Sequence, residues 1–176
     1  MITQPISITG VQLRERIRAE ELRRDLAIQE FPNSLYAFED DEKISPNAHA
    51  ETFLDAERRI AQLQTLQSRY NLRVTISVFG EKMTLSEGIK RLGGAGRIAK
   101  LWTSAAKDEG KDRYGYGSDR LTRDKNQERA RRQISKQACA EAAGKAARFA
   151  GELRAAIARG NAATVEFDDV DPALLA

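Results

Sequence analysis

The sequence is poor in the residues from which many catalytic and metal sites are built. It contains one histidine, His49, and one cysteine, Cys139. A structural zinc site draws on about four such ligands, so these two residues cannot supply one. A cysteine–histidine nucleophile would need folding to bring the two together, and the alanine-rich surroundings of Cys139 instead predict a small packed side chain. We therefore expect a protein that is not an enzyme, with no metal and no cofactor.

Membrane and secretion signals are also missing. No apolar run reaches the roughly 18 residues that a membrane span requires. The opening residues, "MITQPISITG", lack the charged and long apolar regions of a secretory signal. We therefore expect a cytoplasmic protein without membrane contact. The arginine and alanine usage suits a bacterial or phage gene, which would place the protein in a bacterial cell or in the host cytoplasm.

Two short motifs lack the spacing that their apparent chemistry needs. "LGGAGRIAK", from Leu92, does not match the G-x-x-x-x-G-K-[ST] pattern of a P-loop and follows no buried strand. Each glycine in Gly93–Gly96 costs about 1 kcal/mol in a helix, so we expect a kink there, with a full loop as the alternative. The acidic run Glu39–Glu42 lacks the glycine and spaced ligands of a calcium loop and predicts a solvated turn.

The composition favours helices that meet through small side chains. Charged residues make up 31% of the chain, aromatic residues 6%, and hydrophobic residues, many of them alanine, 41%. The fold class that we predict is all-α: an elongated antiparallel helical hairpin or bundle with a coiled-coil seam and a short extended crossover near 73–79. We expect one helical domain over 1–160, with a mobile loop at 107–119. An acidic tail at 161–176 would be either an arm that docks on a partner or a frayed end.

Apolar spacing predicts the first two helices. The first begins with Thr9 as N-cap and ends near Glu30, before the proline of "FPNS". Its apolar stripe consists of Leu13, Ile17, Leu22 and Leu26, with Ala19 and Ala27 filling in. The second begins at the N-cap and N1 pair Ser45–Pro46. Its coiled-coil seam, which we expect to pack within the chain, consists of Phe53, Ala56, Ile60, Leu63, Gln67 and Tyr70.

Two further helices follow the extended segment. "TLSE", from Thr84 to Glu87, matches a capping box and predicts the start of the third helix. The last helix is predicted from Arg120 to Arg159, with Gly160 at C′. Its buried stripe would consist of Ile134, Ala138, Ala142, Ala146, Phe149, Leu153 and Ile157. Because alanine and glycine allow close approach of helices, we expect a homo-oligomer that assembles through the heptad and alanine-rich faces.

The segment "KDEGKDRYGYGSDRLTRDKNQERARRQ", from Lys107 to Gln133, is the most distinctive in the chain. Its glycines allow a ligand to approach the backbone, tyrosine rings can stack on a base, and arginine grips phosphate through two parallel hydrogen bonds. The ligand-binding residues that we predict are Lys111, Arg113, Tyr114, Gly115, Tyr116, Gly117, Arg120 and Arg123. The alternative is a structural or mobile loop.

Several segments resemble the septicolysin-like family of small, elongated helical proteins. They are "LRERIRAEELRRDL", "LQTLQSRYNLRVTI", "MTLSEGIKRL" and, near the other end, "GELRAAIARGN". The resemblance covers about half of the chain and implies an antiparallel helical hairpin packed with further helices, often assembled into oligomers. The family has no established biochemical role, so the resemblance implies no functional residues.

These observations predict a non-enzymatic, oligomeric helical protein that binds a phosphate-bearing ligand, such as a small nucleotide, through the basic loop. Sequestration of that ligand in phage–host conflict is one biological form. One alternative is a structural or adaptor protein that binds another protein through its helices and acidic tail. A second is a nucleic-acid-binding protein, whose affinity would fall steeply with salt; its binding face would consist of Arg129, Arg131, Arg132 and Lys136. A metal-dependent hydrolase is least favoured, because the aspartates around the loop match no metal motif.

Overall fold

The computed structural model describes residues 5–36, 44–107 and 132–175, together with the backbone of 122–123 and 128–129. Within these ranges the protein is mainly α-helical, which confirms the predicted fold class. The helices are α1 (Gly10–Ser34), α2 (Pro46–Arg73), α3 (Leu85–Lys107) and α4 (Lys136–Ala162), with a short 3-10 helix at Pro172–Leu174. The described strands form antiparallel pairs: β1 (Ile6–Thr9) with β6 (Thr164–Phe167), β2 (Thr75–Val78) with β3 (Glu81–Thr84), and β4 (Thr122–Arg123) with β5 (Glu128–Arg129).

Helix α1 begins where the sequence predicts. The Thr9 hydroxyl accepts a hydrogen bond from the Gln12 backbone N–H (3.2 Å), and the Gln12 side chain accepts one from the Thr9 backbone N–H (2.9 Å). This reciprocal pair satisfies backbone donors that a helix leaves open at its start. The predicted end near Glu30 is wrong, because the helix continues through Pro32 to Ser34. Proline removes one donor but keeps its carbonyl, which accepts from the Leu35 N–H.

Helices α1 and α2 form an antiparallel hairpin. Helix α2 starts as predicted, since Ser45 is its N-cap and Pro46 its first residue. Ion pairs between the helices fix the direction, because Glu20, the first of the paired residues on α1, meets Arg59, the last of those on α2. These pairs are Glu20–Arg59 (2.7 Å), Arg23–Asp55 (2.9 Å) and Arg24–Glu57 (3.2 Å). The buried side chains between them are Leu13, Ile17, Ala27, Ala56, Ile60, Leu63, Leu66 and Tyr70. The heptad seam therefore packs within the chain.

The predicted stripes of α1 and α2 are wrong at four positions. Ala19, Leu22 and Leu26 are exposed. The ion-paired Glu20 and Arg24 instead occupy the face of α1 that meets α2. On α2, the seam passes through Leu66 and leaves the adjacent Gln67 half-buried. Burying a leucine removes more apolar surface from water and leaves no amide to satisfy.

The extended segment predicted near 73–79 is the first strand of a β-hairpin. Ile76 and Val78 are buried, while Thr75 and Ser77 point to solvent. Strands β2 and β3 are joined by Phe79 (φ 51°) and Gly80 (φ 85°). Left-handed conformations at both central residues are those of a type I′ turn, whose twist matches the flanking strands. The sequence predicts one strand, and the structure adds its partner.

Helix α3 begins at Leu85, where the capping-box pattern predicts it, and runs without interruption through Gly93–Gly96. The predicted alternative of a full loop is therefore wrong, while the kink stays a prediction. A Cβ placed at Gly94 or Gly96 would meet no heavy atom within 4 Å, so no contact in the described part of the chain requires glycine there.

Helix α4 begins later than predicted. Its first residue is Lys136, because the Ser135 hydroxyl accepts a hydrogen bond from the Ala138 N–H (3.1 Å) and caps the helix there. The predicted start at Arg120 is wrong, since β4 and β5 precede the helix. The predicted stripe is also shifted, with Ile134 and Ala138 exposed. The buried residues of α4 are Cys139, Ala150, Leu153, Ala156, Gly160 and Asn161.

Gly160 lies inside α4 and is a contact glycine, so its predicted role as C′ residue is wrong. A Cβ at this position would lie 2.8 Å from Ile76 Cγ2 and 3.2 Å from Leu85 Cδ1. The helix therefore continues past the glycine to Ala162 because the missing side chain lets it approach β2 and the start of α3.

The chain divides into two compact units, one comprising 1–86 and 157–176 and the other 87–156. In the first unit Tyr70 is completely buried, and its hydroxyl lies 2.7 Å from the Gly160 carbonyl and 2.6 Å from the Ala163 carbonyl. In the second unit the guanidinium of Arg91 lies over the Phe149 ring at 5.7 Å, and Cys139 is buried as predicted.

Candidate functional site

The predicted acidic tail forms one wall of a cleft on the first unit. Strand β6 pairs with β1 in the register Ile6–Phe167 to Thr9–Thr164, so the alternative of a frayed end is wrong. Phe167 is completely buried, with the guanidinium groups of Arg73 and Arg69 over its ring at 4.5 and 5.2 Å. These contacts attach the C-terminal segment to the outer face of α2.

An ion pair fixes the segment beyond β6. Arg69 Nη2 donates to both carboxylate oxygens of Asp169, at 2.6 and 2.9 Å. These hydrogen bonds hold the pKa of Asp169 below its ordinary value, because they stabilise the charged form. Val170 is buried beside them. Arginine and carboxylate thus close one end of the cleft.

The 3-10 helix closes the other end. The Asp171 carboxylate accepts a hydrogen bond from the Ala173 N–H (2.9 Å), which caps the turn. The Ala173 carbonyl in turn accepts from Arg59 Nη2 (3.3 Å). Arg59 Nε lies 2.7 Å from a Glu20 carboxylate oxygen but makes no aligned hydrogen bond, so we describe that contact as an ion pair.

Between these ends lies a cleft of about 670 Å³, which we call the arginine cleft. Its apolar part includes Leu66, Val170 and Leu174. Its charged residues are Asp55, Arg58, Arg59, Arg69, Asp169 and Asp171, which leaves the lining close to neutral. Sites for small molecules commonly have about this volume, roughly 300–1,000 Å³, with a few polar groups on an apolar lining.

Arg58 is the cation of the cleft that is least engaged by the protein. Its side chain is 69% exposed, and its guanidinium lies 3.7 Å from Asp55, which is beyond hydrogen-bond distance. Asp55 is engaged more closely by Arg23 at 2.9 Å. The guanidinium of Arg58 therefore keeps its donors available to an anion at the rim of the cleft.

The residues predicted from sequence as the binding site lie outside the part of the chain whose side chains the structure describes. They are Lys111, Arg113, Tyr114, Gly115, Tyr116, Gly117 and Arg120, together with Arg123, whose backbone belongs to β4. The described residues contain no cluster of three or more histidine, cysteine, aspartate or glutamate side chains able to hold a metal ion. The arginine cleft is therefore the candidate site considered in the described part of the chain.

Sequence reasoning did not single out the arginine cleft. Its signal is nonetheless present, because Arg58, Arg59, Arg69 and Arg73 recur along one helix while four acids occupy the C-terminal segment. Opposite charges on two segments favour contact between them. Here the contact joins Arg69 and Asp169, which are 100 positions apart in the sequence.

Comparison with known proteins gives no match to a family model, to a curated protein or to a solved structure. The resemblance to the septicolysin-like family stays a prediction. Among the residues that the structure describes, no helix combines the length and the apolar character needed to cross a membrane.

Proposed function

We propose that the protein is a non-enzymatic binding protein for a small anionic, phosphate-bearing ligand. The observation that carries this proposal is the arginine cleft, in which the weakly engaged guanidinium of Arg58 stands beside an apolar floor. Arginine presents several N–H donors in a planar arrangement that matches the oxygens of a phosphate. The apolar floor would contact the body of the ligand, such as the base or sugar of a nucleotide.

The charge balance of the cleft narrows the class of ligand. Its three arginines face three aspartates, all of which are acceptors and repel an anion. A ligand with one phosphate group suits this balance better than a polyphosphate, because each added negative charge meets the same three carboxylates. The basic segment around Arg113 and Tyr114 remains a second candidate for the phosphate or the base. Sequestration of a small nucleotide in phage–host conflict remains the biological form that the sequence suggests.

The test measures ligand binding by calorimetry and by thermal shift, with a nucleoside monophosphate, a nucleoside triphosphate and inorganic phosphate at low and high salt. We expect binding of the monophosphate that Arg58→Ala weakens. The matched control is Arg148→Ala, which removes an exposed arginine from α4. Loss of binding only in Arg113→Ala or Tyr114→Ala would place the ligand in the basic segment. Absence of binding by every ligand would overturn the proposal.

The adaptor alternative gains support from a different surface. Leu22 and Leu26 are 61% and 50% exposed on α1, which is the kind of apolar surface that binds another chain. Its acidic tail, however, binds α2 of the same chain through Arg69. A pull-down in which deletion of residues after Gly160 abolished a partner would favour this alternative.

The nucleic-acid alternative depends on the predicted basic face. The Arg132 guanidinium donates to the carbonyls of Ala105 and Ile134 within its own unit, so part of that face is already engaged. Binding of a nucleic-acid polymer releases counterions, so its affinity should fall steeply as the salt concentration rises. Binding of a ligand with a single phosphate should not show so steep a dependence.

A further inference from the structure

Helix α1 carries a second apolar strip in addition to the side chains that it buries against α2. The strip consists of Ala19, Leu22 and Leu26, whose spacing of three and four residues places them on one face. That face lies roughly 150° around the helix from Leu13 and Ile17. Leu22 and Leu26 are 61% and 50% exposed, and they border a groove of about 380 Å³. A surface of this kind is typical of an interface.

The charges that flank the strip are ordered along the helix. Arg18 precedes Asp25 on one flank, and Arg16 precedes Glu30 on the other. All four residues are exposed. Within the described ranges Arg16, Arg18 and Glu30 make no hydrogen bond or ion pair, and Asp25 pairs with its neighbour Arg24. Each flank therefore presents a base toward the start of the helix and an acid toward its end. Arg23 also lines the groove near the middle of the second flank, but its charge is paired with Glu20 and Asp55.

This order makes the strip complementary to itself in one direction only. If two copies of α1 cross antiparallel about a two-fold axis near Leu22, Arg18 faces Asp25 of the second copy, and Arg16 faces Glu30 of the second copy. Residues on the same flank meet in an antiparallel pair of helices, whereas a parallel pair would place like charges opposite each other. A surface that matches itself in this way has the property that a two-fold interface requires.

We propose that the α1 strip binds the α1 strip of a second copy of this chain, antiparallel, about a two-fold axis near Leu22. The sequence suggested the heptad seam of α2 as an oligomer face. That seam is buried against α1, so it is not available for contact with a second copy. The strip supplies apolar contact at the centre and opposite charges at both flanks, which fixes the partner as well as the direction. This inference is independent of the ligand proposed for the arginine cleft.

Sedimentation equilibrium of the full chain over a wide range of concentration tests the apolar part of the interface. We expect a concentration-dependent dimer that Leu26→Glu weakens by roughly tenfold or more, since a charge would be buried between the leucines. Leu72→Glu is the matched control, because Leu72 is an exposed leucine of α2 (63%, against 50% for Leu26) that lies outside the strip. Circular dichroism checks that both variants keep their helices.

A charge-exchange experiment tests the partner and the direction. Arg18→Asp and Asp25→Arg should each weaken self-association, roughly three- to tenfold, because the dimer of either variant contains two pairs of like charges across the axis. An equimolar mixture of the two variants should recover the dimer, since every cross-axis pair in the mixed dimer is again opposite in sign. A distinguishable tag on one variant identifies the mixed species.

Three results would overturn the proposal. The wild-type chain could remain monomeric at every concentration. The two charge variants could fail to associate when mixed, which would exclude the antiparallel pairing. Alternatively, Leu26→Glu could lower the melting temperature of a monomer and leave association unchanged, which would show that another part of the same chain covers the strip.

Discussion

At one end of the α1–α2 hairpin Leu13, Leu63 and Tyr70 are completely buried, whereas toward the other end Leu22 and Leu26 are half or more exposed. Leu22 and Leu26 lie on a face of α1 that does not meet α2, whereas Leu13 lies on the face that does. The two ends also differ in what else reaches them. Strands β1 and β6 and the end of α4 cover the first end, where the Tyr70 hydroxyl of α2 lies 2.7 Å from the Gly160 carbonyl of α4. The covered end buries apolar side chains and so stabilises the fold, whereas the open end exposes the leucines that we propose bind a second copy.

Replacing one leucine by alanine at each end should give the largest difference in the free energy of unfolding. We expect Leu63→Ala to lower the free energy of unfolding by about 2–5 kcal/mol, because it leaves a cavity in a core with no solvent access. Leu22→Ala should change it by no more than about 0.5 kcal/mol in the monomer, since its side chain is largely in water. Chemical denaturation followed by circular dichroism measures both. Equal losses would show that the two ends are packed alike.

The closeness of packing at the covered end predicts opposite signs for two glycines of α4. Gly160→Ala should lower the free energy of unfolding by about 1–3 kcal/mol, because the new Cβ would lie 2.8 Å from Ile76 Cγ2. Gly151→Ala should raise it by up to about 1 kcal/mol, since no heavy atom lies within 4 Å of its Cβ position and alanine favours the helix. Thermal unfolding of both variants provides the comparison, and a stabilised Gly160→Ala would contradict it.

The hydroxyl of Tyr70 offers a smaller and more specific test of the covered end. Tyr70→Phe keeps the ring but removes the hydrogen-bond donor to the carbonyls of Gly160 and Ala163. We expect the free energy of unfolding to fall by about 1–1.5 kcal/mol, since one buried and one part-buried carbonyl lose their donor. Hydrogen exchange of the amides in β6 should accelerate in parallel. An unchanged exchange rate would show that these hydrogen bonds do not hold the C-terminal segment.

The smallest effect concerns the attachment of the C-terminal segment at acid pH. The hydrogen bonds from Arg69 lower the pKa of Asp169, so the folded state favours the charged carboxylate. The stability that these hydrogen bonds contribute to the folded state is fully present above about pH 4. It is lost as the pH falls through the lowered pKa of Asp169. NMR resonances of residues 168–175 should follow this transition in the wild type but not in Asp169→Asn. A transition that persists in the variant would assign it to another carboxylate.

The sequence predicts the helical fold class and both caps of the hairpin, because Thr9, Ser45 and Pro46 act through neighbours in the chain. It predicts the burial of α1 less well. Glu20 and Arg24 face α2 only because Arg59 and Glu57 stand opposite, and this cannot be read from the spacing of α1 alone. The same holds for Gly160, whose position suggests a helix end until Ile76 is placed beside it.

The candidate site was harder to predict than the fold. The arginines of α2 resemble an ordinary solvated helix face until the C-terminal segment is placed against them. That placement depends on β6, whose pairing with β1 joins residues 159 positions apart, as for Ser7 and Glu166. The basic segment from Lys107 to Gln133 attracts attention in the sequence because two of the four tyrosines and three glycines stand among closely spaced charges. Its ligand stays a prediction.

Pairing of β1 with β6 also has a consequence for synthesis on the ribosome. The α1–α2 hairpin is complete once residue 73 has emerged, and its ion pairs need nothing that follows. Strand β1 must wait for β6, and until then its backbone edge and the Tyr70 hydroxyl are without their final partners. Closing so long a loop is entropically costly, so this sheet is expected to form last. A chain stalled before Thr164 would keep its hairpin but leave the N-terminal strand unpaired. Proteases should therefore cleave such a chain at that strand.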